Sequence, residues 1–418
     1  MSRRLGNLTN QGQILVIGGG AAGFFGAITA ADCGARVTIL EAGRAPLGKV
    51  RISGGGRCNV THHCFEVALF SQNYPRGGKA LRGALTRFGA RDTVAWFESR
   101  GVRLKAEGDG RMFPVTDDSG TIVDCLLGTA REVGVILRTG CPVQGVKPLE
   151  SGGFEVGLKS GEGLRCDRLL IATGSHPTGY RWAQTLGHQV IPPVPSLFTF
   201  NLKDPRLQGL AGLSVESVTV TLQTPGKTKF SQTGPILITH WGLSGPAILK
   251  LSAWGARVLQ EHQYKLPLRI NWLPEFNPET LRQHLLATKQ ATPKRKISNY
   301  CPVDLPKRLW QRFLTTVGIE EERIWTELTK AALNALVQEL TGGEYHILGK
   351  GVFKEEFVTC GGIKLSEINF KTMESRCCPG LHFAGEILDI DGITGGFNFQ
   401  NAWTTGWLAG QGLGNSQS

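Results

Sequence analysis

Residues 14–41, ILVIGGGAAGFFGAITAADCGARVTILE, constrain this chain more than any other stretch. A short apolar run at 14–17 precedes Gly18, Gly20 and Gly23. An Ala/Ile/Phe-rich run to Ala31 follows, then a second apolar run at 36–40, then Glu41. Strand, glycine turn, helix, strand and acid in that order predict a βαβ unit with a G-x-G-x-x-G turn, hence a parallel sheet in an α/β fold. Each glycine has its own task. Gly18 permits the tight turn, Gly20 lets a pyrophosphate approach the backbone, and Gly23 lets helix and strand pack closely. Free amides at the helix start favour an anion there. Glu41, eighteen residues past Gly23, is placed to accept hydrogen bonds from both hydroxyls of an adenosine ribose. An acid there also repels a 2′-phosphate. The stretch predicts a dinucleotide whose adenosine lacks that group.

With 418 residues the chain exceeds a single core, so two or three domains are expected. The net charge of +12 opens three classes of partner: nucleic acid, an anionic membrane or an acidic substrate. The positive residues are mostly scattered, with one concentration at 281–312, where eight Lys/Arg face the single acid Asp304. A solvated helical face accounts for that window. Tyr300 and Trp310 alone lie among its charges, a thin stacking platform for a single strand, so nucleic acid is not the favoured partner. None of the ten cysteines forms a C-x-x-C, which removes the redox-active pair of disulfide reductases and the usual zinc spacing. Reduced thiols in a cytoplasmic protein are expected. His62, His63 and Cys64 are too close in sequence to chelate well, so no metal is predicted. MSRRLGNLTNQGQ has no apolar core and is not read as a signal peptide, and the glycines of 14–31 argue against a membrane span.

After Glu41 the stretch AGRAPLGKVRISGGGRCNVTHH shows neither helical nor strand periodicity. Gly54, Gly55 and Gly56, followed by Arg57, read as a backbone loop laid against a ligand with Arg57 as an anion partner. Helical spacing recurs over 79–100, a turn-rich loop GDGRMFPVTDDSG follows, and 121–133 reads as another helix. Segments 135–137, 143–146, 154–158 and 165–172 read as a small β-meander returning to the sheet and ending at Thr173-Gly174. IPPVPS at 191–196 reads as a linker. The next stretch, with strands at 215–222 and 266–272 and helices at 278–290, 305–317 and 322–340, reads as an inserted domain. The opening architecture then returns with a strand at 381–384 and a helix at 397–409, whose start carries Gly395 and Gly396. Amides and a positive dipole end at that start suit a reduced isoalloxazine ring, and this turns a dinucleotide fold into a flavin expectation.

GGGAAG, ISGGGRCNVTH, GRMFPV, ITHWGLSGPA, VTCGGIKLSEINFKTMES and LHFAGEILDIDGITGGFNFQNAWTTG together resemble the FAD-binding flavoproteins of the aminoacetone-oxidase type, a family that includes a bile-acid enone reductase. The resemblance covers nearly the whole chain. It implies a discontinuous glutathione-reductase-like FAD-binding Rossmann domain, residues 1–195 and 351–418, with an inserted β-barrel and helical domain at 196–350. It implies that Gly18, Gly20, Gly23 and Glu41 bind the ADP half, that Gly55, Gly56, Arg57 and Asn59 line the flavin, and that Ala172, Thr173 and Gly174 pass near the pyrophosphate. Glu386 would face the ribityl chain, with Gly395, Gly396 and Asn398 at the ring. Further cofactor contacts are expected from Ala21, Ala22, Ala42, Lys49, Ser53, Gly54, Cys58, Gly385 and Phe397. SHPTGYRWAQTLGH after the ATG turn is shorter than the loop relatives usually carry.

FAD would carry the electron transfer. Only one nucleotide fingerprint is present, because Gly410, Gly412 and Gly414 follow a helix, so NAD(P)H is expected at most as a transient donor. His240, before the turn GLSGP, is the candidate acid/base, against the alternative of a structural histidine. Arg111 and Asp391 are further candidates. Three readings stay open. The first is an FAD-dependent oxidoreductase acting on a small organic substrate, by amine oxidation or C=C reduction. The second is a flavoprotein that binds or modifies RNA, and the third a non-catalytic FAD-binding protein.

Overall fold

The computed structural model describes residues 12–225, 229–351 and 358–415. The chain divides into two compact units, one running to Pro193 and resuming at Thr359, the other Val194–Val358.

In the first unit, five parallel strands lie in the order Leu381–Phe383, Arg168–Ile171, Gln13–Ile17, Arg36–Leu40 and Ile136–Arg138. Two short antiparallel strands, Glu374–Ser375 and Ile368–Asn369, extend the Leu381 edge. Leu15, Val16, Leu169, Leu170, Ile171, Leu381 and Phe383 have no or almost no exposure, as expected of strands covered on both faces. The helix Ala21–Asp32 buries Phe24, Phe25, Ala27 and Ile28, and packs against the long helix Phe397–Asn415. That contact is made of backbone. A Cβ on Gly406 would stand 2.7 Å from Ala22 O, and one on Gly410 2.6 Å from Gly26 O. Gly410 and Gly414 therefore belong to a helix seam, Gly412 presses on Thr372 O instead, and the helix continues to Asn415, six residues past its expected end.

Other expectations need correction. Residues 48–56 are a kinked helix, Gly48–Gly56, because Gly54 and Gly55 take left-handed backbone angles within it. GRMFPV contains a strand, Arg111–Pro114, paired with both Thr61–His62 and Leu104–Ala106. The helical run over 79–100 is two helices, Gly78–Leu85 and Ala90–Glu98. Of the meander, Val143–Pro148, Phe154–Leu158 and Gly163–Cys166 form a separate three-stranded sheet, while Ile136–Arg138 joins the parallel one. IPPVPS lies in a strand, Val190–Ser196, within a two-stranded ribbon where prolines are tolerated. The tail 1–11 lies outside the described residues.

In the second unit, seven strands run Gly343–His346, Pro267–Asn271, Ser214–Leu222, Phe230–Ile238, Gly242–Ser244, Phe200–Asn201 and Gly349–Lys350. The first and last belong to one continuous segment, so the sheet returns on itself like a barrel: Ile347 N donates to Leu266 O and Leu348 N to Asn201 O. Helices Pro278–Ala291, Lys307–Thr316 and Lys330–Gly342 bury Trp272, Trp310, Trp325 and Phe313. The last of these helices starts later than expected, because Trp325–Glu327 is a separate 3-10 turn. Among the described residues no helix is long and apolar enough to cross a membrane.

His382 sits 2% exposed in the parallel sheet, and burial pulls its pKa down to about 4. The folded state thus takes up this proton later than the unfolded chain, whose histidines titrate near ~6.5. Between those values the unfolded chain binds more protons, so stability is full at neutral pH and falls as pH drops from about 6.5 toward 4. Thermal melts across that range should show this fall. His382→Gln should flatten it.

Candidate functional site

The carboxyl ends of the parallel strands converge on one set of turns, which is where sheets of this order bind ligands. Gly18 follows the strand Gln13–Ile17 with φ +110°, and its N–H donates to Leu40 O at 2.9 Å. A Cβ there would lie 2.5 Å from Ala172 O, so the turn after Ile17 and the Ala172-Thr173-Gly174 turn press together backbone to backbone. A Cβ on Gly23 would overlap the Gly18 carbonyl oxygen. At Gly20, by contrast, it would meet nothing within 4 Å. That glycine faces open space at the start of the helix that Ala21 and Ala22 begin.

Glu41 holds this turn in shape. Its Oε2 accepts from Gly19 N and its Oε1 from Gly43 N, both at 2.7 Å. A carboxylate has about four acceptor sites, so each oxygen keeps capacity for a ribose hydroxyl. Ala42, in between, is exposed. Gly385, with φ +80°, stands over Ala22, its added Cβ falling 2.8 Å from the Ala22 Cβ. Glu386 pairs with Lys49 at 2.6 Å and accepts from Thr359 N at 3.1 Å. An added Cβ on Gly174 would be 3.5 Å from the same carboxylate. Two buried hydroxyls beside these turns, Thr173 Oγ1 and Tyr180 Oη, have no hydrogen-bond partner among the described residues. Burial and the Glu386 and Asp389 carboxylates push the Tyr180 phenol up, so it stays protonated.

The glycine loop has the second half of the features. Ser53 Oγ donates to Val50 O, and Gly54, Gly55 and Gly56 all have positive φ. A Cβ on Gly55 or Gly56 would meet nothing within 4 Å, which leaves a bare backbone edge facing outward. Cys58 is fully buried and its thiol is pushed up to about 12 by burial, so it is a packing residue and no nucleophile. Arg57 differs from the expected free anion partner. Its guanidinium pairs with Glu107 at 2.6 Å, lies 3.6 Å from Asp117 and stacks 4.0 Å from the Phe113 ring. Those acids flank the hairpin of Leu104–Ala106 and Arg111–Pro114.

Asn59 joins this loop to the last helix. Its amide nitrogen donates to Thr61 O and its oxygen accepts from Gly396 N, both at 3.0 Å. Gly395 and Gly396 have φ +130° and +90°, and a Cβ on Gly396 would strike Thr61 O. Phe397 stacks on His62 with ring centroids 4.8 Å apart, and its carbonyl accepts from Tyr74 Oη at 2.7 Å. Asn398, expected at the ring, instead clasps Gly392 by two bonds of 2.8 and 2.9 Å. Below the turn, Gln400 accepts from Thr61 and Thr93 and donates to Thr404. This network was not expected from the sequence. Polar residues at 398, 400, 401, 404 and 405 in an otherwise apolar helix were the available signal.

Arg111 and Asp391 are both engaged elsewhere. Arg111 pairs with Glu107 and Asp109, and the fully buried Asp391 carboxylate meets Arg76. His240 belongs to the second unit, at the apex of a tight turn closed by Thr239 N to Gly242 O at 2.8 Å. It is exposed and has no side-chain hydrogen bond among the described residues, so the core does not satisfy it.

The residues fit FAD. The glycine turn, the ribose acid, the orphaned Thr173 hydroxyl and the bare edge at Gly55 and Gly56 all lie within the first unit. A chain with this fold and site is an FAD-dependent oxidoreductase. It belongs to the HI0933-like family, whose model, described as HI0933-like protein Rossmann domain, matches residues 12–412. Among its relatives is a ribosomal RNA dihydrouridine synthase of Escherichia coli (strain K12), 34% identical over 410 residues, 96% of this chain and 97% of the relative. A 3-dehydro-bile acid delta(4,6)-reductase of Clostridium scindens is 30% identical over 96% of this chain and 98% of its own. A second ribosomal RNA dihydrouridine synthase, from Haemophilus influenzae, is 30% identical over the same shares. A 3-ketosteroid delta1-dehydrogenase from Sterolibacterium denitrificans shares the fold, with a TM-score of 0.51, 13% identity and coverage of 98% of this chain and 100% of that one.

Proposed function

We propose that this protein reduces the C5=C6 double bond of a uridine in ribosomal RNA. The observation that carries the reading is the agreement of charge and chemistry. The chain holds +12 at neutral pH, and two relatives named for making dihydrouridine in ribosomal RNA align over 96% of it. The bile-acid relative is named for the same bond change, saturation of a conjugated C=C. Polyanionic RNA uses the charge in a way a single small acid does not.

Bound FAD supplies the two-electron chemistry. The protein's own residues supply the rest. Gly18, Gly20, Ala21, Ala22, Gly23, Glu41 and Ala42 hold the ADP portion, Thr173, Gly174, Gly385, Glu386 and Lys49 the linking chain, and Ser53 to Gly56, Asn59 and Gly395 to Phe397 the ring. Saturating C5=C6 also needs a proton, and His240, whose imidazole is exposed, is the proposed donor. His240→Gln is expected to lower turnover about 10²- to 10⁴-fold, the range for losing a general acid, with the flavin spectrum unchanged. Equal turnover in the variant would remove His240 from the mechanism.

The basic window at 281–312 contributes less stacking surface than its sequence suggests. Trp310 is fully buried and donates to Ile297 O, and Lys296 is paired with Glu322. Lys294 and Lys307 are exposed and within reach of phosphates, while the exposed Arg308 donates to Gly209 O.

The test is anaerobic. Protein reduced chemically and then mixed with unmodified ribosomal RNA should regain the oxidised flavin spectrum as dihydrouridine forms. Reoxidation by a conjugated steroid ketone and not by RNA would overturn the proposal in favour of a small-molecule reductase.

A further inference from the structure

A cavity of about 170 Å³ opens between the segment at 64–70 and the two helices Gly78–Leu85 and Ala90–Glu98. Phe70 and Leu85 are buried in its lining, and Cys64, Phe65 and Arg91 also border it. Its size is informative, because an apolar cavity of about 150 Å³ is enough to admit benzene. One six-membered ring fits, and a drug-sized ligand does not.

The rim is unusual for a solvent-facing surface. Phe65 is 36% exposed, and Leu69 on the next turn is 50% exposed. The Arg91 guanidinium lies 5.2 Å from the Phe65 ring centroid, and the His63 ring meets Phe65 edge-on at 4.7 Å. Arg91 on the rim is exposed, with Lys79 and Arg82 exposed on the helix Gly78–Leu85, against Glu66 and Asp92; Arg87 instead donates to Lys371 O. Asp92 is occupied as the acceptor for Gly89 N at 2.8 Å. A partly exposed aromatic ring with a cation over it and a floor of buried Phe70 and Leu85 supply what a nucleotide in a single strand requires: a ring to stack and a cation for the phosphate.

The cavity also adjoins the proposed flavin site. Its floor residue Phe70 packs edge-on against Phe397 at 4.9 Å, and Phe397 follows the Gly395-Gly396 turn directly. Two rings separate the cavity from that turn.

We propose that this cavity holds one base of a single-stranded RNA segment flanking the reacting uridine, stacked on Phe65, with the adjoining phosphate at Arg91. The inference rests on the RNA reading above and adds a site to it. Single-stranded RNA is preferred over duplex because only an unstacked base can enter.

The test titrates the flavin-loaded protein with a short fluorescent oligouridylate at low salt. Phe65→Ala should weaken binding about fivefold to a hundredfold, the range for losing one base stack. Arg91→Gln should make log K less steep in log salt by about 0.7, one phosphate contact on a single strand. Both variants should keep the visible flavin spectrum. In the unaltered protein, alkylation of Cys64, followed by peptide mass spectrometry, should slow when oligouridylate is added, and this readout stands even where a variant fails to fold. Normal binding by Phe65→Ala, or Cys64 alkylation indifferent to RNA that the protein does bind, would overturn this site and leave the RNA reading intact. No binding by the unaltered protein would overturn both.

Discussion

Gly23→Ala is expected to give a protein that purifies without flavin. The added methyl would overlap the Gly18 carbonyl oxygen, a backbone atom that no rotamer change can move. Gly18 is in turn fixed by its bond to Leu40 O and by its press against Ala172. The helix must therefore lift from the strand, which carries the amides at Ala21 and Ala22 away from where a pyrophosphate would lie. Overpacking of this kind costs about 1–3 kcal/mol and sometimes more. The loss of cofactor stabilisation adds to it by mass action. The variant should be colourless and melt several degrees lower, read by absorbance and by thermal unfolding with and without added FAD. Gly20→Ala is the control. Its Cβ meets nothing in the protein, so it should fold normally, and any loss of flavin there would report contact with the cofactor itself.

Asp391→Ala is expected to have the largest effect on stability. The Asp391 carboxylate has no exposure, and Arg76 reaches it with two nitrogens, Nε at 2.6 Å from Oδ1 and a terminal nitrogen on Oδ2. Arg76 and Asp391 also share a backbone bridge, and Ile393 N donates to Asn73 O at 2.9 Å. The pair thus fastens the segment that leads into Gly395 and Gly396. Removing one partner of a buried pair costs about 3–5 kcal/mol. Denaturant unfolding should show that loss. Replacing both residues with apolar ones of similar volume should recover much of it, since the pair itself is of modest net value once both charges are gone. Asp391→Ala with unchanged stability would mean that the pair is not formed.

The fold was legible where local chemistry decides. Gly18, Gly20, Gly23 and Glu41 announce a strand, a turn and a helix whose requirements lie within thirty residues, and the structure has them in that order. The helices Pro278–Ala291 and Lys307–Thr316 were legible from apolar spacing alone. Distant pairing was not. Arg76 and Asp391 are 315 residues apart, and nothing near either one names the other. Arg57 reads as a free cation until the hairpin that brings Glu107 is folded. The strand Arg111–Pro114 was hidden because its partners, Thr61–His62 and Leu104–Ala106, are short and its last residue is proline. Trp310 looked available for stacking because exposure depends on which face of Lys307–Thr316 meets the core, and its indole lies on that face. Glycine-rich sequence told where backbone comes close to something, but not to what. Gly410 and Gly414 approach a helix, while Gly55 and Gly56 approach open space.

Which double bond this protein saturates decides its function. Nucleoside mass spectrometry of ribosomal RNA from cells with and without the gene tests it directly. A uridine carrying two added hydrogens in the parent strain should revert to plain uridine on deletion, return with the intact gene, and fail to return with Gly23→Ala. Ribosomal RNA with identical nucleoside masses in both strains would contradict the proposed function and turn the same flavin site toward a small-molecule substrate.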